Sequence, residues 1–140
     1  MFLKIKIGLC VLALSLLVIM PQRGATEELP ITLEQHIQRI FGSQAKVALA
    51  VFKHESQGLK LDAVNYNCRY DGRSTFCKKG DKLKAWSVDC GLAQINVRGQ
   101  VCPPRLLTLE GNMQAVEKVY KEQGLKAWVS FKNGAYKKFL

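Results

Sequence analysis

Apolar residues fall into three spacings along the chain, and each predicts a different kind of element. The first stretch, Ile7 to Met20, is an uncharged run of Leu, Val and Ile preceded by Lys4 and Lys6 and ended by Pro21. Its 14 residues fall short of the roughly 20 that span a membrane, so the pattern predicts a secretory signal over residues 1–25, with an uncleaved N-terminal anchor as the alternative. Beyond a polar lead-in, Leu33, Ile37, Ile40 and Phe41 share one helical face, and Thr32-x-x-Gln35 in front of them has the form of a capping box. Gly42 is the stop. A second helix is expected from about Ser43 to Gln57, stopped by Gly58. It is almost continuously apolar through Ala48, Leu49, Val51 and Phe52, which marks it as the buried central helix.

Residues 58–90 lose this periodicity and become rich in Asn, Asp, Gly, Ser and Lys, so loops with a short hairpin are expected there. Pro103-Pro104 marks a turn. A third helix is expected from Asn112 to Gln123, with Met113, Val116, Val119 and Tyr120 inward and Gly124 as its stop. The tail carries Trp128, Phe131, Tyr136 and Phe139 and is expected to dock as an aromatic lid or final helix. The fold class that follows is mostly α within α+β, one domain over residues 26–140, with a loop-rich middle and a small hairpin.

Composition changes this picture at two points. Four of the five cysteines, Cys68, Cys77, Cys90 and Cys102, lie beyond the signal, an even set in a chain bound for an oxidising compartment. Two disulfides are the economical reading. Three pairings are open, and proximity in sequence favours Cys68 with Cys77 and Cys90 with Cys102. Metal is not expected, because there is no Cys-x-x-Cys pair and His36 and His54 lie upstream on helical stretches; no cofactor is expected either. The second point is charge: 21 basic residues stand against 11 acidic ones. Loss of Lys4, Lys6 and Arg23 with the signal leaves 18 against 11. Such a surface is drawn to polyanions, among them acidic wall polymers and anionic membranes. Export and the absence of an interleaved aromatic and basic motif speak against nucleic acid.

Two carboxylates stand in positions suited to chemistry. Glu55 falls in the last turn of the apolar helix, whose carbonyl end disfavours a further negative charge, a setting that suits a proton donor. Asp89 lies in a polar stretch before Cys90-Gly91, where a carboxylate stays ionised. Cleavage of a glycosidic bond asks for such an unequal pair.

The wording around them is more specific than their spacing. Glu55-Ser56, Ala63-Val64 eight residues after Glu55, and Gly91-Leu92-Ala93-Gln94-Ile95-Asn96 resemble the motifs of lysozyme-like lytic transglycosylases of the soluble type, including the small ones associated with secretion systems. Ser87-Val88-Asp89-Cys90-Gly91 through Asn96 is also similar to the corresponding stretch of animal-type lysozymes. The resemblance covers most of residues 43–140. It implies that Glu55 is the acid/base, that Asp89 is a charge-stabilising or nucleophilic carboxylate, and that Gln94 and Asn96 hydrogen-bond around an acetamido sugar, with Gly91 leaving room for the glycan.

Ser56 is expected beside the substrate or as support for Glu55, and Trp86 as a stacking surface for a sugar; Trp128 reads as core or rim packing. Where the transglycosylases have Ala-Tyr-Asn, this chain has Ser130-Phe131-Lys132-Asn133. Phe131 cannot hydrogen-bond Glu55, and Tyr136 is the alternative hydroxyl. The cysteine number, lower than in animal lysozymes, favours the bacterial transglycosylase side. The implied activity is cleavage between N-acetylmuramic acid and N-acetylglucosamine in peptidoglycan by an exported monomer in the periplasm, cell wall or medium. The alternatives are hydrolysis with Glu55 and Asp89, and a non-catalytic basic wall-binding protein.

Overall fold

A computed structural model describes residues 30–140; the signal or anchor expected over residues 1–25 lies outside them. The capping box forms at Thr32: its hydroxyl accepts from Gln35 N–H at 3.3 Å, and the Gln35 side-chain Oε1 accepts from Thr32 N–H at 2.7 Å. It starts helix α1, Leu33–Phe41, which ends at Gly42 with φ of +54°. Ile37 and Phe41 turn inward.

One tight turn over Gly42–Gln44 separates α1 from α2, Ala45–Glu55. The helix is two residues shorter at each end than expected. At its exit the backbone of Gln57, Gly58 and Leu59 turns to positive φ, which a right-handed helix cannot continue. Ala48, Val51 and Phe52 are wholly buried, so α2 is the central helix, as its apolar run predicts. Phe52 meets Trp128 edge-on at 5.3 Å between ring centres and Phe41 at 5.8 Å.

The middle of the chain departs from expectation. In place of loops and a short hairpin there are four antiparallel strands, β1 Val64–Tyr70, β2 Arg73–Phe76, β3 Ser87–Cys90 and β4 Ile95–Arg98, in the order β2-β1-β3-β4. The architecture is therefore α+β and not mostly α. The register sets Asn65 opposite Asp89, Asn67 opposite Ser87, and Asp89 opposite Asn96. Directly paired residues share a face, so these polar residues form one surface. Val88 and Cys90 on the other face pack with Leu106 as a small second core.

Helix α3, Leu109–Gln123, begins three residues before Asn112, because the Thr108 hydroxyl accepts from Gly111 N–H and caps it. Gly124 ends it, with φ of +62°. Asn112 is instead fully buried. It donates to the carbonyls of Cys90 and Leu106 at 3.1 and 2.8 Å and accepts from Ala93 N–H at 3.0 Å, joining α3 to the turn after β3. The tail forms a single short helix α4, Val129–Lys132, between tight turns over Gly124–Ala127 and Ala135–Phe139, the last of which docks on α2. Both disulfides join neighbours in sequence, Cys68 to Cys77 and Cys90 to Cys102.

Candidate active site

The polar face of the sheet is the floor of a cleft of about 300 Å³, and its opposite wall is built from the end of α2 and the start of the tail. Glu55, Asp89, Trp86, Gln94 and Asn96 all line it. The two carboxylates named from the sequence thus share one cavity, one on a helix end and one on a strand.

Asp89 is clamped from both sides. Asn67 Nδ2, one strand away on β1, donates to Oδ2 at 2.8 Å, and Asn96 Nδ2 on β4 donates to Oδ1 at 2.7 Å. Ser87 Oγ receives the same two amide groups, at 3.4 Å from Asn67 and 3.0 Å from Asn96. The clamp follows from period-two alternation and antiparallel register: Asn96 stands directly opposite Asp89 on β4, and Asn67, opposite Ser87 on β1, reaches Asp89 diagonally on the same face. Each carboxylate oxygen has a partner, and the charge is fixed in direction.

Glu55 is held differently. Its Oε1 accepts from Ser130 N–H at 3.2 Å and also bonds the Ser130 hydroxyl. Ser130 N–H is one of the first-turn amides that α4 leaves without an intrahelical partner. Among the described residues Oε2 of Glu55 has no hydrogen-bond partner, and the side chain is half-buried. One oxygen is anchored and the other is available to a ligand in the cleft.

Several expected roles move. Tyr136 is not in the cleft; it stacks on Phe131, ring centres 5.4 Å apart, and the hydroxyl that meets Glu55 belongs to Ser130. Ser56 is also outside the cleft. It is buried, its Oγ donating to Phe52 O at 3.0 Å and accepting from Lys60 N–H at 3.1 Å, so it closes the helix end behind Glu55. Gly91 is small for an internal reason: its φ is +70°, and a Cβ there would collide with the Leu106 carbonyl and the Asn112 side chain. No glycan is needed to explain it.

Gln94 reaches the cleft, but its amide braces the turn. Nε2 donates to the Gly91 and Ala63 carbonyls at 2.8 and 3.3 Å, and Oε1 accepts from Asn65 Nδ2. Asn96 keeps its Oδ1 without a partner among the described residues, which leaves an acceptor beside Asp89. Trp86 also lines the cleft; its indole Nε1 is buried and has no hydrogen-bond partner among the described residues. Trp128 is core, donating from Nε1 to Ala93 O at 2.8 Å, and it also closes part of the cleft wall.

Asn67, Ser74, Ala127 and Val129 complete the site without having been named from the sequence, and Ser130, named only as part of the segment around Phe131, joins them as the partner of Glu55. Asn67 had a signal: Val-Asn-Tyr-Asn-Cys-Arg-Tyr alternates with period two. For Ser130 the resemblance pointed to the segment but to Phe131 or Tyr136 within it, and the contact with Glu55 spans 75 positions of chain. Compared with protein-family models, curated proteins and solved structures, the chain matches none.

Proposed function

We propose that the protein cleaves the β-1,4 bond between N-acetylmuramic acid and N-acetylglucosamine in peptidoglycan, with Glu55 as the acid/base. The observation that carries this reading is the unequal treatment of two carboxylates in one cleft: both oxygens of Asp89 are tied by amides, whereas Oε2 of Glu55 is open. An open oxygen can deliver a proton to the leaving glycosidic oxygen as the C–O bond breaks. A fixed carboxylate can meet the positive charge that develops on the anomeric carbon. Asn96 Oδ1, without a partner among the described residues, supplies an acceptor suited to the sugar's hydroxyl and acetamido groups, and Trp86 adds aromatic surface to the cleft wall. The resemblance of the Glu55-Ser56 and Asp89-to-Asn96 segments to lysozyme-like enzymes supports the same reading, and the two disulfides suit the oxidising compartment in which the polymer lies.

The second step has two courses. In the lytic-transglycosylase course, Glu55 takes the proton from the sugar's own 6-hydroxyl, which closes a 1,6-anhydro ring, and no second carboxylate is required. In the hydrolytic course Glu55 activates water while Asp89 holds the cationic sugar. The two-sided clamp on Asp89 favours the hydrolytic course. The mass of the fragments released from purified sacculi tests this: hydrolysis gives reducing ends, and an anhydro end is lighter by one water. Anhydro products throughout would remove Asp89 from the mechanism and return the activity to a transglycosylase.

A further inference from the structure

The cleft face of the sheet carries two arginines, Arg69 and Arg98, that pair with neither carboxylate of the cleft. On β1 the residues that share this face are Asn65, Asn67 and Arg69, and Arg69 pairs across to Ser74, which lines the cleft. The Arg69 guanidinium lies 4.6 Å above the centre of the Trp86 ring, the same ring that forms the rim of the cleft. Arg69 is exposed, and among the described residues it takes part in no ion pair. The neighbouring acid on this face, Asp89, is occupied by Asn67 and Asn96. On β4, Arg98 stands opposite Ser87 and so shares the face, again with no ion pair.

A guanidinium held over an indole face by a cation–π contact keeps N–H groups free to meet an anion. The stack removes much of the side chain's freedom in advance, so little is lost when the fork closes on a planar anion. The matching partner is a carboxylate, taken by two parallel N–H···O bonds. Of the two sugars in the proposed substrate, one bears a carboxylate: N-acetylmuramic acid carries a lactyl ether at O3, which ends in a free carboxyl or continues into an acidic stem peptide. N-acetylglucosamine carries none.

We infer that Arg69, held on Trp86 at the rim of the cleft, is a specificity-determining residue that binds the carboxylate of the muramic acid substituent and so selects peptidoglycan over chitin. The inference rests on the proposed glycan-cleaving function for the identity of the ligand, but binding tests it apart from turnover. Three tetrasaccharides are titrated calorimetrically into the Glu55→Gln protein with and without Arg69→Gln: the alternating muramic acid form with free lactyl groups, the same form carrying stem peptides, and chitotetraose. The last has no carboxylate and reports on whether the cleft remains folded.

Arg69→Gln is expected to lower the affinity for the acidic ligand relative to chitotetraose about tenfold, the loss of one hydrogen-bonded charge contact. Arg69→Lys, which keeps the charge without the fork, is expected to fall between. A larger loss for the free lactyl form assigns the contact to the lactyl carboxyl, and a larger loss for the stem-bearing form assigns it to the peptide. An unchanged affinity ratio, or failure of both acidic ligands to bind, overturns the inference. If the ratio falls but the unmutated protein releases no fragments from sacculi, the carboxylate site stands and the proposed cleavage does not.

Discussion

The two walls of the cleft fix their carboxylates by different means. On the sheet wall Asp89 is set by the strands themselves: Asn67, Asp89 and Asn96 are neighbours across β1, β3 and β4, and both oxygens are bonded. On the helical wall Glu55 terminates α2 and depends on Ser130, which arrives from the tail and bonds one oxygen. Register gives the first group a fixed charge that faces the cleft; chain ends give the second an anchored oxygen and an open one. In the proposed hydrolytic course the open oxygen would transfer the proton and the fixed carboxylate would stabilise the developing charge. The sheet wall divides its strands by face: the polar row faces the cleft, while the apolar row beneath holds Val88 and Cys90 against Leu106.

Asp89→Asn tests the sheet wall most severely. It keeps the shape and removes the charge, and kcat for release of reducing ends is expected to fall by about a hundredfold or more. An unchanged kcat would show that the charge of Asp89 takes no part and leave Glu55 as the sole acting carboxylate. Ser130→Ala tests the helical wall. The backbone N–H remains on Oε1 while the hydroxyl is lost, so kcat is expected to drop roughly tenfold with KM little altered. A loss as large as that of Asp89→Asn would mean that the tail, and not the helix end, positions the acid.

The smallest effect is expected outside the cleft, at Asp81, a carboxylate that serves as a control. The Tyr70 hydroxyl donates to its Oδ2 at 2.6 Å and Lys84 Nζ lies 2.9 Å from Oδ1. The Tyr70 hydrogen bond, then that from Lys84, holds the Asp81 carboxyl below its ordinary value of 3.8. A lowered folded-state value means that these contacts stabilise the fold above the ordinary carboxylate range and are lost as pH falls through the folded value. Tyr70→Phe is therefore expected to raise the Asp81 titration midpoint toward 3.8, read by NMR, and to leave lysis at neutral pH unchanged. A midpoint that stays put would show that Lys84 alone sets it.

How far the sequence disclosed these walls follows the same division. Helix α1 was legible to its first and last residue, since Thr32, Gln35 and Gly42 are local signals. The centrality of α2 was legible from its apolar run, and both cysteine pairings from proximity. The sheet was not, because Asn65, Asn67 and Arg69 on β1, Asp89 on β3 and Asn96 on β4 give the segment the polar composition of loops. The residues that make the cleft polar are the ones that conceal the strands. Glu55 and Asp89 were legible through the wording of their segments, but Ser130 belongs to a contact that only folding makes. Of the two duties expected of Ser56, the structure shows the supporting one, at the exit of α2, and it adds for Gly91 a requirement internal to the fold, set by Leu106 and Asn112.

The open oxygen of Glu55 is the centre of the account, and Glu55→Gln is its most direct test. The amide keeps an oxygen for Ser130 but has no proton to give to the leaving group. Clearing of purified sacculi is expected to fall by about a thousandfold or more, with binding to them retained. Lysis at the unmutated rate would contradict the assignment and leave a basic wall-binding protein in its place.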